Sequence, residues 1–150
     1  MQKEILLEIL TQNQTTCSTV FHKITPQNAA FRLNEQAASA GFIYRHIGET
    51  INLFGLFFGI PTTIQNTTMG KSDNGQGRDI EASRLLIEQG FDWLRQYIET
   101  TPDSAWLDPI DTPFFGTVSR ARLFSHILSH NSHHAGQLAL TLNRGSTVSE

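Results

Sequence analysis

The sequence predicts an all-α protein folded as a four-helix bundle in up-down-down-up order. Three observations carry that expectation. Four stretches place apolar residues at helical spacing. All five prolines fall between these stretches. The first connection is short, whereas the second is long enough to cross one end of a bundle.

The first helix is expected from about Lys3 to Lys23, with Ile5, Leu6, Ile9, Leu10, Val20, Phe21 and Ile24 at helical spacing. Thr25-Pro26 ends it, because a residue before proline is pushed out of the α region. A second helix is expected from about Ala29 to Phe58, its stripe formed by Phe31, Ala40, Ile43, Ile47, Ile51, Phe54 and Phe58. The short junction makes these two helices antiparallel neighbours.

Gly59-Ile60-Pro61 closes the second helix. The polar, glycine-rich connection from Gln65 to Gly77 shows no strand pattern. A third helix follows from about Asp79 to Thr100, with Asp79 or a nearby residue as its cap and Pro102 just past its end. Leu85, Leu86, Phe91, Leu94 and Ile98 are its core candidates. Pro102, Pro109 and Pro113 then exclude a helix, while Trp106, Phe114 and Phe115 imply a connection that packs on the protein. The fourth helix starts near Thr117 or Val118 and stops at Asn143-Arg144-Gly145. Residues from Ser146 to Glu150 are expected to fray. The whole chain, residues 1–150, reads as a single domain.

Bulk properties narrow the function. A net charge of −3 and singly scattered arginines argue against nucleic-acid binding. The lone Cys17 excludes an intramolecular disulfide and a CxxC zinc motif, and it reads as a bland small residue rather than a nucleophile. Acidic residues interrupt the apolar N-terminus, unlike a signal peptide. The longest apolar run, Ile51 to Ile60, is too short to span a bilayer. A cytoplasmic enzyme or binding protein is the resulting expectation, with no membrane contact.

Four of the six histidines lie between His126 and His134. Neutral imidazole is the commonest metal ligand near neutral pH. Residues four apart on a helix sit one above the other, so both His126 with His130 and His130 with His134 can grip one ion. At ~100° per residue, His126, His130, His133, His134 and Gln137 form one strip about 100° wide beside Leu123, Ile127 and Leu138. Histidines beside apolar side chains are costly unless hydrogen-bonded or metallated. His46, next to the apolar stripe of the second helix, is the natural third ligand. His22, near the end of the first helix, reads as a favourable C-terminal charge.

The segment Leu128-Ser129-His130-Asn131-Ser132-His133-His134-Ala135-Gly136-Gln137-Leu138 resembles the fourth-helix signature of the DinB-like superfamily, which includes the YfiT-type metal proteins. That signature is a histidine, three residues, then a histidine followed by Arg-Gly-Gln and an apolar residue. His46 stands where the family has a further histidine on its second helix. The resemblance spans essentially the whole chain and implies an up-down-down-up bundle, often dimeric, with a divalent ion such as zinc, nickel or iron. It selects His46, His130 and His134 as ligands and moves His126 and His133 to supporting positions in the pocket. This chain departs from the signature at Ala135, where arginine is common.

Three neutral imidazoles leave coordination positions open, so the ion can lower the pKa of a bound water or hold a thiolate. Glu49, one turn beyond His46, has three readings: a fourth ligand, a general base, or a surface carboxylate paired with Arg45. Gln137 either hydrogen-bonds a ligand imidazole or packs as an ordinary amide. The resemblance implies thiol S-transfer as the first activity, joining a low-molecular-weight thiol to an electrophilic small molecule, with Phe54, Phe57 and Trp106 shaping an apolar pocket. Metal-dependent hydrolysis and non-catalytic metal binding in a stress response are the alternatives.

Overall fold

A computed structural model describes residues 2–147. Its elements are α1 (Gln2–Phe21), α2 (Ala40–Gly55), α3 (Ile80–Thr100), β1 (Pro109–Thr112), β2 (Gly116–Ser119) and α4 (Arg120–Arg144), with 3-10 turns at Leu56–Phe58 and Asp103–Leu107. Four long helices dominate, as the periodicity predicts.

The packing corrects one expectation. α2 packs against α3 and α4, and α1 packs against the same two helices. α1 and α2 thus lie across the bundle from one another, although the Phe21 and Tyr44 rings meet edge to face at 5.3 Å. The predicted short junction is in fact the irregular segment 22–39. Asparagines explain the difference. Asn28 accepts from the Thr25 amide and donates to the Lys23 carbonyl, and Asn34 accepts from the Gln36 and Ala37 amides. Such local bonds compete with helix. α2 starts only where the Ser39 hydroxyl accepts from the Phe42 amide.

The other helix ends obey readable chemistry. Asp79 caps α3 through the Ala82 amide, and Ser119 caps α4 through the Arg122 amide. Gly59, at φ +78°, closes the turn after α2 in the left-handed region that glycine enters freely. The C-terminal expectation changes at Ser146, which exchanges two backbone hydrogen bonds with Arg32. The rest of that expectation, from Val148 onward, lies outside the described residues.

The core holds Leu10, Ile47, Ile51, Leu94, Ile98, Leu123, Ile127 and Leu138, all essentially buried. Ile5, Ile9 and Leu85 are exposed instead of core. On α1 the inward stripe is Leu10, Cys17 and Phe21, and Ile5 and Ile9 sit a step to its outer side. At Gly48 and Gly90 the α2 and α3 backbones come close. A Cβ on Gly90 would lie 2.5 Å from Ile51 Cγ2, and one on Gly48 would lie 2.8 Å from Leu86 Cβ.

The connection after α3, with Pro102, Pro109 and Pro113, was expected to exclude helix. It holds a short 3-10 turn, which fits between Pro102 and Pro109, and an antiparallel hairpin pairing Pro109 with Ser119 and Thr112 with Gly116. The hairpin delays α4 to Arg120. Trp106 is fully buried between the rings of Tyr97 and Phe124, at 5.7 and 5.5 Å. It is a core residue and not the pocket wall that the sequence suggests. No helix among the described residues is long and apolar enough to cross a membrane.

Candidate metal centre

The middle of α2 faces one side of α4, and this contact brings three of the predicted residues together. The Nε2 atoms of His46 and His130 are 3.1 Å apart. One donor nitrogen from each of His46, His130 and His134 lies within 4.8 Å of the others. Two nitrogens ~2.05 Å from one tetrahedral ion would be separated by about 3.3 Å. The donor set and its spacing fit a divalent metal.

All three rings are partly buried. Burial lowers the pKa of His46 to about 4, helped by the neighbouring His134 and opposed by Glu49. Burial and the surrounding histidines lower His130 to about 3. His134 is also lowered, by burial and by His133, against the hydrogen bond its Nδ1–H donates to Gln137 Oε1, which raises it. Neutral imidazoles with available lone pairs are the form that a metal requires.

Polar partners orient two of the rings. His134 Nδ1 lies 2.6 Å from Gln137 Oε1, and His46 Nδ1 lies 3.2 Å from Thr68 Oγ1. Gln137 thus meets the His134 ring. A cavity of about 140 Å³ opens beside His46 and His134, lined also by Ala38, Phe42, Ile43, Thr68 and Gln137. It has room for about five waters at ~30 Å³ each.

His126 lies one turn before His130, ring centroids 6.2 Å apart, and burial lowers its pKa. It belongs to an aromatic wall. Phe115 is 4.6 Å from it, Phe54 is 5.5 Å from it, and Phe114 stacks on Phe54 at 5.5 Å. Phe57 closes the group against Phe54 and Phe114, each at 5.7 Å. His133 touches the His134 ring at 4.9 Å but is exposed, lining a groove with Ile9 and Asn13 of α1. Ala135 is buried in the core, and His22 is exposed. Cys17 is buried, and burial pushes its thiol up to about 11, which fits the bland reading.

Glu49 is the largest departure from sequence reasoning. It pairs with Arg45 at 2.7 Å, but it is fully buried rather than a surface carboxylate. Its oxygens also accept from the amides of Thr67 and Thr68 at 2.9 and 3.0 Å, and from their hydroxyls at 2.5 and 2.8 Å. Burial alone would raise its pKa, yet these bonds and Arg45 outweigh it and hold the carboxylate below its usual range. The grouped donor atoms are those of the three histidines.

Thr67 and Thr68 escape sequence reasoning because nothing in a polar loop marks which hydroxyls will face a buried carboxylate. Phe114 and Phe115 carry a readable signal. Pro113 and Gly116 bracket them, and Ile110-Asp111-Thr112 and Thr117-Val118-Ser119 alternate around that turn.

Fold and site define the class: an α-helical protein with a candidate three-histidine metal centre between its second and fourth long helices. The DinB superfamily family model matches residues 9–138, and the chain belongs to that superfamily. A solved structure of the colibactin self-resistance protein ClbS in complex with a dsDNA is similar in fold, with a TM-score of 0.58 and 19% identity. The match covers 91% of this chain and 92% of that one. No curated protein matches the sequence.

The ClbS complex corrects the expectation that nucleic acid is excluded. That expectation rested on net charge, which averages the whole surface, and on arginines scattered along the sequence, a spacing that does not say where the fold places them. A duplex meets one face, where a few local phosphate contacts decide binding.

Proposed function

We propose that this protein holds a divalent ion, zinc, nickel or iron, on His46, His130 and His134, and acts as an S-transferase on a low-molecular-weight thiol. The convergence of three partly buried imidazoles carries the metal reading. An ion on three imidazoles retains open positions and favours the deprotonated form of a bound thiol or water. Around it the protein supplies shape. Ala38, Phe42 and Ile43 give the adjoining cavity an apolar wall suited to the reacting end of a thiol. Phe54, Phe57, Phe114 and Phe115 offer aromatic faces to the body of an electrophile. With five donors on its oxygens, Glu49 is a supporting group in this reading rather than the general base.

The same proposal includes the up-down-down-up order. Contacts between α2 and α3 ascend together, Gly48 meeting Ile87, Ile51 meeting Gly90, and Gly55 meeting Trp93, which supports parallel helices. Contacts between α2 and α4 run oppositely, Phe54 meeting His126 and His46 meeting His134.

Cobalt-substituted protein tests the transfer reading. Adding small thiols should produce a thiolate-to-cobalt absorption band and metal-dependent conjugation of a dinitrophenyl halide. Replacing both Phe114 and Phe115 by alanine should raise KM for the electrophile more than it lowers kcat. Absence of both band and conjugation with every thiol tried would sink the transferase and leave hydrolysis or simple binding. A second reading, contact with duplex DNA, draws on the fold shared with ClbS. Fluorescence anisotropy with a short labelled duplex checks it. Binding that weakens with salt would support it, and no binding at low salt would remove it.

A further inference from the structure

We propose that Glu49 and Thr68 are positioning residues that fix the tautomer of His46, so that its Nε2 always presents a lone pair to the metal position. The inference rests on His46 being a ligand. It starts from a count of protons. Thr68 has one hydroxyl proton and two possible acceptors: Glu49 Oε2 at 2.8 Å and His46 Nδ1 at 3.2 Å. A hydrogen bond to an ionised carboxylate is shorter and roughly twice as strong as a neutral one. The proton therefore goes to Glu49.

Toward His46 the Thr68 oxygen then has only lone pairs to offer, so Nδ1 must carry the ring proton. In a neutral imidazole that leaves Nε2 bare. Nε2 is the atom facing His130. The direction of the relay follows from Glu49 being fully buried and held by Arg45 and two backbone amides, which keep it an acceptor.

The relay is also fixed in space. The amides of Thr67 and Thr68 both donate to Glu49, so the carboxylate pins the loop that carries the hydroxyl onto α2. Asn66 and Met69 close that loop with reciprocal hydrogen bonds. His134 reaches the same outcome differently, through direct contact with the exposed Gln137. His46 is thus oriented by a buried relay and His134 by a surface amide.

Nitrogen-15 NMR of the imidazoles in metal-free protein at mildly alkaline pH tests the relay without a mutation. His46 should show the Nδ1–H tautomer. Thr68→Val keeps the amide bond to Glu49 and removes only the hydroxyl. It should shift His46 toward the Nε2–H form and weaken zinc binding about 10–100-fold, as loss of a partner behind a ligand typically does. Thr68→Ser should restore both. An Nε2–H His46 in the wild type, or unchanged tautomer and zinc affinity in Thr68→Val, would overturn the proposal. Wild-type protein with the Nδ1–H tautomer but no zinc binding would support the relay and defeat the metal reading instead.

Discussion

At the residue scale, three imidazoles share a partly buried space with few hydrogen-bond partners. The native state keeps His46 neutral down to about pH 4 and His130 down to about pH 3. An unfolded chain takes up these protons near pH ~6.5. Between those limits the unfolded state binds more protons, so stability falls as pH drops through the window. The melting temperature of metal-free protein should therefore decline between neutral pH and pH ~5. His46→Phe should flatten that decline, and an equally steep profile in the variant would show that other groups carry it. Bound metal should be retained through that range and released only towards about pH 4 and below, where protons compete for the same nitrogens of the folded protein.

The site was legible in the sequence to the extent that it depends on helical spacing. His130 and His134 are four apart on a regular helix, so their shared face follows from geometry alone. His46 was readable as a third candidate from its place beside the apolar stripe of the second helix, and the family pattern then selected it. A surface carboxylate was one of the three readings of Glu49, because spacing places it on the polar side of His46. Its burial depends on the loop holding Thr67 and Thr68, a contact between distant parts of the chain.

At the element scale, α2 and α3 pack closely because neither Gly48 nor Gly90 projects a side chain. Helix propensity alone would make Gly90→Ala stabilising by ~1 kcal/mol. The 2.5 Å approach to Ile51 Cγ2 opposes this, and overpacking costs about 1–3 kcal/mol. Chemical denaturation should show Gly90→Ala to be less stable than wild type. A gain would mean that the two helices have room to separate. Ser119→Ala should lower stability by about 1 kcal/mol through loss of the α4 cap.

Helix existence was readable at this scale, but helix boundaries were not. The apolar spacing of Phe31 and Ala40 continues the α2 pattern backwards, while Asn28 and Asn34 divert the backbone into turns. The hairpin went unread because the prolines in its neighbourhood were counted only against helix. Pro109 stands at the first position of β1, where a strand tolerates it.

At the scale of the whole molecule, a metal held on His46, His130 and His134 would join two helices that come from distant parts of the chain, so its binding should stabilise the complete fold. A ligand at 100 times its Kd adds ~2.7 kcal/mol. Excess zinc should raise the melting temperature of wild type and have little effect on His130→Ala.

The central claim is that His46, His130 and His134 together hold one divalent ion. Elemental analysis of untagged protein and its single-alanine variants tests it most directly. Wild type should carry close to one equivalent and each of the three variants little, with His22→Ala retaining wild-type content. Equal metal in wild type and His130→Ala, or none in either after exposure to zinc, nickel and iron, would contradict it.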